Sequence, residues 1–243
     1  MKKLLFILTL LFIWSAAISL AQEKATISVY RVFAKPGKDD ALKKAIAAHA
    51  QKFHTGKWKW RVFSVLSGAD EGAYQILEGP NSWTELEGRN DISEEHMRDY
   101  DANVTPLVEK TTPAIYLRYQ IELSSDSLAG PAKKTLIRRL YVKPGKGESI
   151  ENYASVWKKV YEKLGVRVAA YWTFFSGEAA FILAYRLPNG FVDLEQPMGK
   201  RMRETFNEIA GNGAYDRYAE DLGSLVTKID NEMIEYKPEL SSK

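Results

Sequence analysis

The chain has 243 residues, of which 45% are hydrophobic and 27% are charged, and its formal net charge is +3. This near balance argues against nucleic acid as the main partner, because phosphate binding needs a concentrated basic surface. The sequence contains no cysteine, which excludes disulfides, thiolate metal sites and cysteine nucleophiles.

Residues 1–21 have the pattern of a secretory signal peptide. Lys2 and Lys3 precede an apolar stretch, and Ser19-Leu20-Ala21 forms a small-x-small cleavage motif. An uncleaved membrane anchor is the alternative, but it would need about 20 apolar residues. We therefore expect export to the periplasm or the extracellular space, with no stable membrane anchor and a mature chain that has lost these two positive charges.

The mature sequence repeats itself. The segment "SVYRVFAKPGK" aligns with "LIRRLYVKPGK", so that Arg31 matches Arg139. The words "SVLSG" and "AYQIL" then meet "TFFSG" and "AFILA" in the same order. We interpret residues 22–123 and 133–243 as two related repeats, joined by a polar linker at residues 124–132.

Each repeat is predicted to form strand, helix, strand, strand, helix and strand. In the first repeat, "ATISVYRVFAK" alternates as a strand does, and Pro-Gly in "KPGK" predicts a turn. A helix follows, with one face made by Leu42, Ala45, Ile46, His49 and Phe53. The segments "KWRVFSVLSG" and "GAYQILEG" predict a hairpin, residues 93–110 a second helix, and "PAIYLRYQIEL" the closing strand.

The order βαββαβ is that of a ferredoxin-like unit, whose helices cover one face of a four-stranded sheet. In the second repeat, "AAYWTFFSG" and "AAFILAYRL" carry bulky apolar residues on both faces. The predicted fold is therefore α+β, with two tandem ferredoxin-like repeats packed sheet to sheet, about 10 Å apart. Since each repeat covers the other, we expect a monomer with an internal pseudo-dimer.

This arrangement, with a "KPGK" word before the first helix of each repeat, resembles the dimeric α+β barrel superfamily and its antibiotic-biosynthesis-monooxygenase-like members. The resemblance implies a barrel formed by two ferredoxin-like units, and a ligand pocket between the sheet and its covering helices. Members include cofactor-free monooxygenases, haem-degrading and haem-binding enzymes, isomerases and proteins without known activity. The resemblance therefore implies a fold more than a reaction.

Two arginines at matching positions are candidate site residues. Arg31 and Arg139 lie among apolar neighbours on their strands, where an unpaired cation would be costly. Each needs a carboxylate, access to solvent or a ligand anion. His49 lies on the apolar helix face and matches Trp157 of the second repeat, so it either packs in the core or faces a pocket as acid, base or ligand.

The first repeat is the more polar of the two at matching strand positions. Gln75 and Glu78 align with Ile182 and Tyr185 of the second repeat. We therefore predict the working pocket in the first repeat, around Arg31, His49, Gln75 and Glu78.

Other residues suggest a ligand or a cofactor. Trp157 and Tyr161 either fill the core or roof a site for a small apolar or aromatic molecule. His96 is similar in placement to the haem-ligating histidine that the resemblance implies for haem-degrading members. Those members also use an asparagine on the first strand, and the first strand of this sequence has none. No metal-binding spacing occurs, because His49 and His54 do not share a helix face. We expect no metal and no cofactor, with haem as the alternative.

Two functions follow from this sequence. The first is an exported small-molecule-binding protein; the alternative is a cofactor-independent or haem-linked monooxygenase-like enzyme. Neither a G-x-S-x-G nor a G-x-G-x-x-G motif occurs, so the sequence leaves open whether the protein is an enzyme.

Overall fold

A computed structural model describes residues 25–89, 92–127, 130–173, 176–195 and 198–243. The predicted signal peptide, residues 1–21, lies outside the described residues. Among the helices of the described ranges, none is long and apolar enough to cross a membrane.

The described residues form nine strands and six α-helices. The strands are β1 (Thr26–Ala34), β2 (Trp60–Val65), β3 (Tyr74–Asn81), β4 (Val108–Thr111), β5 (Ile115–Tyr119), β6 (Lys134–Val142), β7 (Val168–Thr173), β8 (Ala180–Leu187) and β9 (Val226–Tyr236). The helices are α1 (Asp39–Phe53), α2 (Trp83–Glu87), α3 (Glu94–Asp99), α4 (Gly147–Leu164), α5 (Met198–Ala210) and α6 (Ala214–Leu225).

The strands close into one antiparallel barrel with eight strand positions. The first half contributes the order β5-β1-β3-β2 and the second half the order β9-β6-β8-β7. Two seams join the halves, where β2 pairs with β9 and β5 pairs with β7. The short strand β4 continues the β5 position alongside the end of β1. The predicted sheet-to-sheet contact is thus realised as a closed barrel whose sheets join edge to edge, since open sheet edges favour pairing.

Local sequence explains how the first helix begins. The turn before α1 places Gly37 at a φ of 72°, which glycine adopts without steric cost. Asp39 and Asp40 then lie in the first turn, where negative charge is favourable. Leu42, Ile46 and Ala50 recur at helical spacing and are fully buried against the outer face of the barrel.

Side chains alternate between the barrel interior and an outer layer under the helices. Interior residues such as Ile27, Val29 and Ile137 form one core cluster. The outer faces form separate clusters beneath α1 in the first half and beneath α4 in the second. This division decides which candidate site residues can meet.

The second helix predicted for the first repeat, residues 93–110, is shorter in the structure. Helix α3 ends at Asp99 and is followed by a π-helical turn at Tyr100–Val104 and a 3-10 turn at Thr105–Leu107. Pro106 cannot donate a helical hydrogen bond, and the following residues pair with β1 instead.

Candidate functional site

A cavity of about 680 Å³ lies inside the barrel. Its walls are mainly apolar and come from both halves of the chain. They include Ile27, Val29, Phe63, Leu77, Ile115, Leu117, Ile137, Tyr171, Ile182, Ala184 and Ile234. This volume and an apolar lining with a few polar groups are typical of sites for small organic molecules.

One carboxylate organises the charged part of this cavity. Arg31 on β1 and Arg139 on β6 both donate to Oε1 of Glu232 on β9. Glu232 is only 4% exposed. Burial would raise the pKa of Glu232, but the hydrogen bonds and charges of Arg139 and Arg31 outweigh burial and hold that pKa below its usual range.

Most of the N–H donors of Arg31 form hydrogen bonds with other side chains of the protein. Its Nε and Nη2 donate to Oε1 of Gln75, at 3.0 and 2.6 Å, and its Nη1 lies 2.8 Å from Oδ2 of Asp70. Together with Glu232, these partners take four of the five N–H donors of the guanidinium. Arg31 and Gln75 therefore belong to a buried ion-pair network that borders the cavity.

Two other arginines are better placed to meet a ligand. Among the described residues, only Glu232 hydrogen-bonds the side chain of Arg139, and the guanidinium of Arg61 has no hydrogen bond or ion pair. The lining as a whole contains five cationic side chains and three carboxylates. These are Arg31, Arg61, Arg139, Arg186 and Lys228 against Asp70, Asp230 and Glu232. The excess of positive charge favours an anionic ligand.

Tyr171 adds a neutral phenol to the same cavity. Burial raises the pKa of Tyr171 to about 12, so its hydroxyl keeps its proton near neutral pH. It can therefore donate a hydrogen bond to a ligand oxygen.

The structure divides the pocket predicted for the first repeat. Arg31 and Gln75 face the barrel interior, whereas His49 and Glu78 lie on the outer side, under the helices. The physical reason is strand geometry: Gln75 and Glu78 are three residues apart on β3, and an odd spacing puts side chains on opposite faces. Grouping these four residues around one pocket was wrong.

The outer group instead joins three buried imidazoles. His49 lies on α1, His54 directly after it, and His96 on α3, with ring centroids 4.7 to 5.3 Å apart. Nδ1 of His49 lies 2.8 Å from Asp99, and Nδ1 of His54 lies 3.2 Å from Glu78. Burial lowers the pKa of both His49 and His54 against the opposing effect of these carboxylates, so both rings are neutral near pH 7.

A haem does not fit at His96. Its Nε2 lies 3.1 Å from Nε2 of His54, and the rings of His49 and Phe53 lie against it at centroid distances of 4.7 and 5.4 Å. A porphyrin bound through that nitrogen would occupy the same space. At the same place, a ring nitrogen of each of His49, His54 and His96 lies within 4.8 Å of the others.

Trp157 and Tyr161 line a smaller cavity of about 280 Å³ in the second half. It lies between the barrel and helices α4, α5 and α6, which is where the sequence predicts a ligand site. Trp157 stacks on Tyr161, and the Tyr161 hydroxyl lies 2.8 Å from that of Tyr185. The larger cavity, however, is the one inside the barrel.

Sequence reasoning missed Asp70, Glu232, Arg61 and His54. Arg61 and Glu232 carry a usable signal, since each alternates with inward apolar neighbours: Phe63 follows Arg61, and Ile234 follows Glu232. Asp70 lies in the loop before β3, and no strand pattern positions it. His54 follows the end of α1, so helical spacing says nothing about its direction.

Solved structures of similar fold cover nearly the whole chain. An anthrone oxidase-like protein matches with a TM-score of 0.57 and 12% identity, over 89% of this chain and 93% of its own. A protein assigned as a monooxygenase from Fusobacterium nucleatum subsp. nucleatum matches with a TM-score of 0.58 and 13% identity, over 87% and 91%. A chlorite dismutase from Candidatus Nitrospira defluvii, in complex with imidazole, matches with a TM-score of 0.56 and 6% identity, over 90% and 94%.

These likenesses confirm that the chain has the fold of dimeric α+β barrel proteins. No protein-family model matches the sequence, and no curated protein matches it. The neighbours give no support to the expectation that a cofactor is absent.

Proposed function

We propose that the protein is a monooxygenase-like enzyme that takes a flat, largely apolar substrate, in its anionic form, into the barrel. The observation that carries this proposal is the cavity of about 680 Å³, in which Arg61 and Arg139 face apolar walls. The monooxygenase-like and anthrone oxidase-like neighbours support an enzyme on this fold.

The cavity suits a substrate that becomes an enolate or phenolate before it reacts with oxygen. Such an anion spreads its charge over an aromatic body and one oxygen atom. The apolar walls would hold the body, while the arginines and the Tyr171 hydroxyl would stabilise the charged oxygen. Beside the apolar walls these interactions are stronger than in bulk water, because the effective dielectric constant is lower.

Anthrone is a suitable first substrate, because one neighbour is described as anthrone oxidase-like. Anthrone reacts through its enolate with one O₂ to give anthraquinone and one water: one oxygen atom enters the quinone, and the proton released on enolate formation is returned to the water. We expect oxygen uptake with anthrone to exceed the uncatalysed rate, and Arg61→Gln and Arg139→Gln to reduce it at least tenfold, as expected for loss of a charged hydrogen bond of about 1.5–3 kcal/mol.

Arg118→Gln is the matched control. Arg118 lies exposed on β5, between the inward-facing Leu117 and Tyr119, so its side chain is directed away from the cavity. The three variants should also be compared for binding of 1-anilinonaphthalene-8-sulfonate, an anionic aromatic probe. Equal oxygen uptake and equal probe binding in all three would overturn the proposal, and probe binding without oxygen uptake would reduce it to a binding protein.

We also propose that the two halves are fused, related repeats, that the protein acts as a monomer, and that it is exported. The same strand order in both halves supports the first point. Closure of the barrel within one chain removes the need for a second copy and supports the second. The sequence pattern of residues 1–21 supports export. Sedimentation of the mature chain tests the second point, and sequencing of its amino terminus after secretion tests the third.

A further inference from the structure

All three histidines of the chain meet at one place, although they are far apart in sequence. His49 and His54 are fully buried and His96 is 6% exposed. Trp60 stacks on His54 with a centroid distance of 3.7 Å, and Tyr100 and Phe53 close the sides around His49. The cluster lies outside the barrel wall, between β2–β3 and helices α1 and α3.

The partners of two imidazoles define which nitrogen carries the proton. Nδ1 of His49 faces Oδ2 of Asp99 at 2.8 Å, and a carboxylate only accepts. Nδ1 of His54 faces the carbonyl of Trp58 at 3.1 Å and Oε2 of Glu78 at 3.2 Å. Both Nδ1 atoms must therefore donate, which leaves the lone pairs of both Nε2 atoms directed into the cluster.

One of these lone pairs has no partner among the described residues. Nε2 of His49 is buried and makes no hydrogen bond. An unsatisfied polar atom in such a place costs about 1–3 kcal/mol, unless a group outside the protein satisfies it. Nε2 of His54 lies 3.1 Å from Nε2 of His96, so a single cation could face all three rings.

We propose that His49, His54 and His96 bind one divalent transition-metal ion through ring nitrogens, independently of the proposed function. For metal–nitrogen bonds of 2.0–2.1 Å, two ligands of a tetrahedral ion lie about 3.4 Å apart. The separation of 3.1 Å between His54 and His96 is close to that value. Ring nitrogens of all three lie within 4.8 Å, so small ring rotations bring the third into range.

The charged groups around the three imidazoles suit a bound cation better than a histidine cluster without one. Asp99 and Glu78 hold the far nitrogens of His49 and His54, the carboxylate–histidine arrangement that orients metal ligands. Arg89 neutralises one of the two carboxylates, which leaves one negative charge around neutral rings. Three imidazoles suit Zn²⁺, Co²⁺, Ni²⁺ or Cu²⁺, and leave a further position for a small ligand such as water.

The test uses the mature chain produced with Co²⁺ in the medium, because a closed site exchanges metal slowly. We expect one equivalent of Co²⁺ per chain and the visible absorption of a tetrahedral or five-coordinate ion. Zn²⁺ added during refolding should raise the melting temperature by several degrees, because a ligand that binds only the folded state stabilises it. His96→Ala should lose both signals.

Asp99→Asn and Asp101→Asn form a matched pair. Both lie near the end of α3, but only Asp99 contacts a histidine ring, whereas Asp101 is exposed. Asp99→Asn should weaken metal binding about 10–100-fold, and Asp101→Asn should leave it unchanged.

The proposal is overturned if the parent protein shows neither Co²⁺ absorption nor a Zn²⁺-dependent shift, an outcome that does not depend on any variant folding. It is also overturned if His96→Ala, or His49→Ala, retains the metal.

Discussion

Arg31 and Arg139 bind the same oxygen atom, Oε1 of Glu232, from equivalent positions of the two halves of the barrel. Each arginine follows the same sequence pattern and reaches the cavity from its own strand, β1 or β6. The carboxylate of Glu232 serves both guanidinium groups, and among the described residues no equivalent carboxylate of the other half takes part. The barrel is thus electrostatically asymmetric at a place where its two halves have the same cation.

We expect Glu232→Gln to destabilise the protein by about 3 kcal/mol. The substitution removes the charge between two buried guanidinium groups, and breaking a buried ion pair typically costs about 3–5 kcal/mol. Urea unfolding at neutral pH measures the change. Asp230→Asn is the control, because Asp230 lies two residues away on β9 and pairs with Lys228 while partly exposed. Its cost should stay below about 1 kcal/mol, and equal costs for both variants would contradict the role given to Glu232.

The same carboxylate predicts a pH dependence. Because the folded protein holds the pKa of Glu232 below its usual range, its contribution to stability is complete above the unfolded value of about 4.5. This contribution is lost as the pH falls from there through the folded value. The difference in free energy of unfolding between the parent protein and Glu232→Gln should therefore shrink between about pH 4.5 and the lower folded pKa.

Unfolding by urea at a series of pH values from 7 to about 3 tests this prediction. Asp230→Asn again serves as control, since the pKa of Asp230 is lowered mainly by its hydrogen bond with the exposed Lys228. A difference for Glu232→Gln that stays constant down to the lowest pH would show that the buried carboxylate is not ionised in the folded state as described.

The barrel could be predicted from the sequence because strand alternation, the "KPGK" turns and the repeated order are local patterns. The same patterns placed Arg31 and Arg139 correctly among inward apolar side chains. These local patterns did not predict the histidine cluster, because its side chains come from elements that are far apart in the sequence. His54 has left its helix, His96 comes from α3, and Glu78 approaches from a strand. Only the folded chain brings these three side chains together.

The position of the main cavity was the other part that the sequence could not give. The resemblance to dimeric α+β barrel proteins implied a pocket beneath the helices, and a small one lies there in the second half. Whether the barrel interior is filled depends on the summed volumes of inward side chains from eight strand positions. Small residues such as Ala184 leave space that alternation alone does not reveal.

We expect Ala184→Leu and Ala170→Leu to differ, although both add the same volume to a buried strand residue. Ala184 lines the barrel cavity, so its added methyl groups find space and the free energy of unfolding should change by less than about 1 kcal/mol. Ala170 is fully buried in the packed layer beneath α4, where overpacking typically costs about 1–3 kcal/mol.

Ala184→Leu should also reduce binding of the anionic aromatic probe, because it occupies cavity volume. Thermal unfolding and a fluorescence titration of both variants measure the two effects. If Ala184→Leu proves as destabilising as Ala170→Leu, or binds the probe as the parent protein does, the interior cavity is not an open site in solution.

The loop that carries Asp70 gives the last prediction. Gly68 has a φ of 99°, and a β-carbon added there would lie 3.0 Å from Cβ of Glu232. Gly72, in the same loop, has a φ of 87° but nothing within 4 Å of an added β-carbon. Both Gly→Ala variants face an unfavourable backbone conformation, which costs about 1–3 kcal/mol. Only Gly68→Ala also pushes the loop away from Glu232.

We therefore expect Gly68→Ala to be the more destabilising of the two substitutions. Because it displaces Asp70 from Arg31, it should also alter probe binding. Equal effects of the two substitutions on unfolding and on the probe titration would mean that the loop does not need to approach Glu232 closely.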